Sequence, residues 1–118
     1  MHLIKNYAPI VIKLLLSFAF AAAGFAKLAG AEMMVQTFEA IGVGQWFRYV
    51  TGLIEVVGAV LLWVPGKQFI AATMLLCTMI GAALAHLLIL GPSALPAVVL
   101  GVLCAITAYV YREQSPVN

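Results

Sequence analysis

Four apolar runs, each close to the length that crosses a bilayer, take up most of this chain, and the breaks between them are short. The runs are Pro9–Leu28, Phe47–Val64, Phe69–Leu90 and Ser93–Tyr111. A spanning helix needs about 20 apolar residues, so the second run is slightly short and the others suffice. Pro65-Gly66 ends the second run, and Gly91-Pro92-Ser93 separates the third from the fourth. Such short connections make sequential helices antiparallel neighbours. Helices must carry the runs, because a backbone in lipid has no water to satisfy its polar groups. The expected fold class is all-α, a transmembrane four-helix bundle.

Composition points the same way. Only 8% of the 118 residues are charged and 65% are hydrophobic. A soluble domain carries about 25% charged residues, so this chain cannot cover a water-facing surface. Its surroundings are expected to be a lipid bilayer, and residues 1–118 are expected to form a single membrane domain. The net charge of +2, with no Lys/Arg cluster, gives no nucleic-acid partner. Cys77 and Cys104 lie in apolar runs and form no CxxC, so neither a redox pair nor a metal site is written here. Packing is the expected role of both, at a common level in the bundle, and Met74 and Met79 read as filler. No catalytic set and no cofactor motif is evident.

The first run has features of a signal peptide: Lys5 and Lys13 near its start and Ala21-Ala22-Ala23 near its end. The apolar pattern continues through Gly24-Phe25-Ala26-Lys27-Leu28, so an uncleaved first helix is expected. Between helices one and two, Met34, Phe38 and Ile41 share one face and Glu32, Gln36 and Glu39 another. That spacing predicts a short amphipathic helix lying at the interface or capping the bundle. Gly42 and Gly44 end it, and Trp46, Phe47 and Tyr49 mark the water boundary of helix two.

Lys and Arg counts set the orientation. Lys5, Lys13, Lys67 and Arg112 fall on one side and Lys27 and Arg48 on the other. Both termini of the multi-pass chain are therefore expected in the cytoplasm. The difference widens if Lys27 and Arg48 turn inward. Lys13 is expected to snorkel to cytoplasmic headgroups.

Glu55 is the costly residue. It sits inside the second run, and a carboxylate at that depth must face the interior, find a partner or be protonated. Arg48, Gly52 and Glu55 recur at i, i+4, i+7 and share a stripe. Lys27 closes helix one and His86 lies four residues before Leu90, so Lys27, Arg48, Glu55 and His86 fall in one outer layer. Gly24 and Gly52 are expected to leave a gap for a side chain or ligand, and Gly58 and Ala59 to suit close helix contact. One reading of the layer is structural, with Glu55 locking the bundle through Lys27 or Arg48. The other is a ligand-binding or proton-handling site.

At these residues the chain resembles the DoxX-like family of small bacterial membrane proteins. The resemblance rests on Phe18-x5-Gly24-Phe25-Ala26-Lys27-Leu28-Ala29-Gly30, Phe38-Glu39-Ala40-Ile41-Gly42, Gly52-Leu53-Ile54-Glu55-Val56-Val57-Gly58-Ala59 and Met79-Ile80-Gly81-Ala82-x3-His86-Leu87. It implies a four-helix membrane bundle in a bacterial inner membrane, with Lys27, Glu55 and His86 as the family's polar positions; Arg48 is added from its spacing. It also implies a setting of membrane oxidoreductase assemblies, including quinone chemistry.

Two functional expectations follow. One is an accessory or anchor subunit of a membrane or soluble oxidoreductase partner, with a quinone head group in the polar layer. The alternative is a small transporter or ligand-binding protein, built as a homodimer because four helices of this length enclose little volume. A basic-leaning site suits an anionic or neutral polar ligand. In a third, weaker reading, Glu32, Gln36 and Glu39 recruit a soluble enzyme. Activity of the chain on its own is not expected.

Overall fold

The computed structural model describes residues 2–91 and 94–114, with side chains from residue 7 onward. The side chain of Lys5 and the Pro92-Ser93 break lie outside this set. The described residues form five α-helices and no strand: α1 His2–Ala29, α2 Glu32–Ile41, α3 Gln45–Leu61, α4 Gln68–Ala85 and α5 Leu95–Val110. A π-helical turn, His86–Leu90, extends α4, and a 3-10 turn, Arg112–Gln114, follows α5.

The helices differ in reach. Tyr7–Ala29 and Gln68–Leu90 are each 23 residues long and apolar enough to cross a membrane. α3 has 17 residues and α5 has 16, about 25 Å each at 1.5 Å per residue. Both fall short of the roughly 30 Å hydrocarbon core. α1 starts before the expected Pro9, which sits inside it. α3 begins earlier than Phe47 and stops at Leu61, where a series of turns takes over.

α1 packs chiefly on α3, and α4 chiefly on α5; α3 and α4 touch less, as do α1 and α5. Small residues set the tight pairs. Gly24 and Gly52 place the backbones of α1 and α3 against each other. α5 buries Ala97, Gly101, Cys104 and Thr107 along one stripe, against the stripe of α4 that carries Ala71, Ala72, Leu75 and Met79. Leu16, Phe20 and Leu62 complete a core at the end where the termini lie. Gly58 lets Leu75 close the α3–α4 contact at that level.

The outside is apolar. Phe18, Phe25, Leu53, Val60, Ile80, Leu84, Val102 and Ile106 are all exposed, while Lys13, Arg48, Glu55 and Thr107 are buried. This inverts the usual distribution of a water-soluble surface.

Lys13 differs from its sequence reading. It is only 7% exposed and does not reach outward. Its ammonium sits between the rings of Trp63 and Tyr111 instead. Nearby, the Gln114 amide donates to Gln68 and its oxygen accepts the Phe69 N–H, which ties the end of the chain to the start of α4.

Candidate functional site

α2 builds the roof of the site. Its polar face, Glu32, Gln36 and Glu39, is exposed; Phe38 is buried, and Met34 and Ile41 are half-buried beneath it. Gly42 ends the helix in the left-handed region at φ 84°, returning its N–H to Phe38 O. Gln45 then donates to Val35 O at 3.0 Å, which fixes α2 to the start of α3. α2 touches both α3 and the π-helical end of α4, so it bridges the two.

Beneath it α3 and α4 separate. Gly58 and Leu75 hold them together lower down, but Gly81 on α4 has nothing within 4 Å of where a side chain would begin. The space between is a cavity of about 520 Å³ lined by α1, α2, α3, α4 and the π turn. Several of its wall residues, Phe47, Val50, Cys77 and Gly81, are also exposed, so it opens sideways between α3 and α4. One chain by itself therefore borders a volume of ligand size, open on one side.

Three of the four expected site residues, Lys27, Glu55 and His86, line this cavity. Lys27 Nζ lies 2.7 Å from Glu55 Oε1, with Lys27 12% and Glu55 2% exposed. The buried carboxylate is answered from α1, not by Arg48. Glu55 Oε1 is thus held by charge and proximity, without a well-directed hydrogen bond; His86 also lines the cavity, and its Nδ1 is buried with no hydrogen-bond partner. A buried imidazole nitrogen left unmatched is unusual, since buried polar groups are almost always paired.

Arg48 stands apart, and it does not line the cavity. It is 5% exposed. Its Nη1 donates to Lys27 O at the end of α1, its Nε donates to Gln45 Oε1 at 2.7 Å, and its guanidinium lies 4.3 Å from the Tyr49 ring centroid. The first of these adds a second donor to a carbonyl at the end of α1 that already accepts the Gly30 N–H. Arg48 braces α1, α3 and, through Gln45, α2.

The expected gap at Gly24 and Gly52 is filled. A Cβ on Gly24 would meet Gly52 O at 2.7 Å, and a Cβ on Gly52 would meet Lys27 Cβ at 2.9 Å. The glycines bring Lys27 and Glu55 into range and admit no ligand themselves.

The walls hold residues the sequence reading passed over. Thr37, Thr51 and Thr78 line the cavity, and each hydroxyl donates to the carbonyl four residues earlier on its own helix. They therefore present oxygen lone pairs, and not O–H groups, to the space. Thr51 precedes Glu55 by four residues, and Thr78, Ala82 and His86 also recur at four, so both were visible as stripes. Cys77 is exposed on the same wall, against the expectation of a packed thiol, whereas Cys104 is buried; both are free. Met79 is buried in the core and reaches the cavity, as do Met33 and Met34.

Among the described residues no group of three His, Cys, Asp or Glu could hold a metal ion. The arrangement offers an apolar pocket, one ion pair, one unmatched imidazole nitrogen and a set of acceptor oxygens. No curated protein and no solved structure matches the chain. One family model does, over residues 11–110, and by that match the chain belongs to the DoxX-like family.

Proposed function

We propose that this chain is a multi-pass, four-helix protein of the bacterial inner membrane with both termini in the cytoplasm. Its role in this reading is that of an accessory subunit of a membrane redox system, holding a small ligand with an apolar body and a polar head in the cavity between α3 and α4. The apolar exterior supports the membrane setting. The inward turn of Lys27 and Arg48 supports the orientation, because it leaves the basic residues exposed at the other end, Lys67 and Arg112, without a counterpart.

The observation that carries the ligand reading is a mostly apolar space lined both by the Lys27–Glu55 pair and by His86, whose buried Nδ1 has no partner. Ligand pockets are commonly apolar with a few convergent polar groups. A quinone head group fits this set. Lys27 and, in the right tautomer, His86 supply donors for its oxygens, and the threonine oxygens and Glu55 accept from its reduced form. Bound there, a quinone would supply two-electron chemistry coupled to protons; the chain's own residues would orient it and exchange those protons.

Mass spectrometry of the protein gently extracted from its native membrane tests the reading. A co-purifying quinone or a stoichiometric oxidoreductase is the expected result. A bare homodimer with neither would overturn it and turn attention to ligand transport. Glu55→Gln and His86→Ala should each impair electron transfer in the parent assembly.

A further inference from the structure

Among the described residues two lysines turn in between helices, Lys27 half-buried and Lys13 buried, and only one is answered by a carboxylate. Lys27 has Glu55. Lys13, at the opposite end, is 7% exposed and forms no ion pair among the described residues. Its ammonium is held 4.6 Å from the Trp63 ring centroid and 5.3 Å from that of Tyr111. Aromatic faces stabilise a cation, yet they leave its N–H groups without acceptors. A buried ammonium is otherwise paired or loses its proton.

The described neighbours add hydroxyls and an indole N–H, and no carboxylate. Ser17, one turn along α1, accepts the Trp63 indole N–H at 2.5 Å, and its own O–H reaches no described acceptor. The Tyr111 hydroxyl has no described partner either. Glu113, on the 3-10 turn after α5, is exposed and makes no ion pair among the described residues. α1 and the segments that follow α3 and α5 thus converge on a cluster with a positive charge, the Ser17 and Tyr111 hydroxyls and, among the described residues, no anionic acceptor. Trp63 is 42% exposed, so the cluster is reachable from the side.

We infer that Lys13, Ser17, Trp63 and Tyr111 form a site for a phosphate group, supplied by an anionic phospholipid headgroup or by free phosphate. Charge-assisted hydrogen bonds from an ammonium and hydroxyls suit phosphate oxygens. Basic pockets between membrane helices, at the level of the aromatic belt, are where anionic headgroups are held. The site lies at the far end of the bundle from the α3–α4 cavity and does not depend on what that cavity binds.

Trp63 itself reports on it. Trp46, the second tryptophan, lies at the other end of α3, so a Trp46→Phe background leaves one fluorophore. The protein would be reconstituted in phosphatidylcholine vesicles containing a fixed fraction of brominated phosphatidylglycerol or brominated phosphatidylcholine, and Trp63 quenching compared. The expected result is about a five-fold preference for the anionic lipid, the selectivity of one lysine at a lipid phosphate. Lys13→Met should abolish the preference while quenching by brominated phosphatidylcholine stays unchanged, which shows the helices still packed. Lys13→Arg should keep most of it. Millimolar inorganic phosphate separates the sources: a preference that survives it assigns the lipid alone, and one that collapses shows that free phosphate competes for the same site. Equal quenching by the two lipids, or a preference that persists in Lys13→Met, would overturn the site.

Discussion

Gly24 and Gly52 face each other across α1 and α3 at a distance no side chain fits: a Cβ on Gly24 would lie 2.7 Å from Gly52 O. Backbone is on the far side of that contact, so nothing flexible can move away. Gly52→Ala should therefore push the helices apart and loosen the Lys27–Glu55 pair with them. Overpacking of this kind costs about 1–3 kcal/mol. Thermal unfolding in detergent should show the loss, and an unchanged midpoint would mean the helices sit further apart than described.

Breaking the ion pair should hurt more from one side than from both. Lys27→Met leaves Glu55 buried without its cation, a change worth about 3–5 kcal/mol in buried pairs. Lys27→Met with Glu55→Gln removes the charge altogether and should recover part of that loss. A double-mutant cycle on unfolding free energies measures the coupling. Additive losses would show that the two residues do not act together.

Gly81→Leu should fill the cavity and leave the bundle standing. The position is helical, borders the cavity and has open space around it. Replacing a helix glycine is worth up to about 1 kcal/mol in the protein's favour. Stability should hold or rise while any ligand of the cavity is excluded. Retained binding in this variant would place the ligand elsewhere.

The two thiols should separate cleanly. Cys77 is exposed on the cavity wall and Cys104 is buried in the α4–α5 contact. A membrane-permeant maleimide should modify Cys77 alone in the folded protein and both after denaturation, and a cavity ligand should slow the reaction at Cys77. Modification of Cys104 without denaturation would contradict the packing of α5.

The residue pattern already carried the helices, the amphipathic α2 and the joint burial of Arg48, Gly52 and Glu55. Each of these rests on periodicity along one element. What it could not carry is the spacing between elements. Gly52 beside Glu55 looked like an opening, because a missing side chain reads as empty space until the partner backbone is known to occupy it. Glu55 had two candidate cations, and only the approach of α1 settled on Lys27. Cys77 and Cys104 look alike in sequence because both lie in apolar runs, but one faces the α3–α4 opening and the other the α5 stripe. Lys13 was read from its depth alone, before Trp63 and Tyr111, 50 and 98 residues later, were known to close around it.

The match between α1 and α3 bears on how such a chain enters a bilayer. α3 is short and carries both Arg48 and Glu55. A single charge near the middle of a helix adds about 2.5–3.5 kcal/mol to the work of insertion. Both of these groups are met by α1: the guanidinium by Lys27 O and the carboxylate by Lys27 Nζ. In the proposed four-span arrangement α3 is thus a poor guest of the lipid by itself and an acceptable one beside α1. Biogenesis of the membrane form should then depend on α1 waiting at the insertion site until α3 emerges, with Lys27 as the residue that receives it.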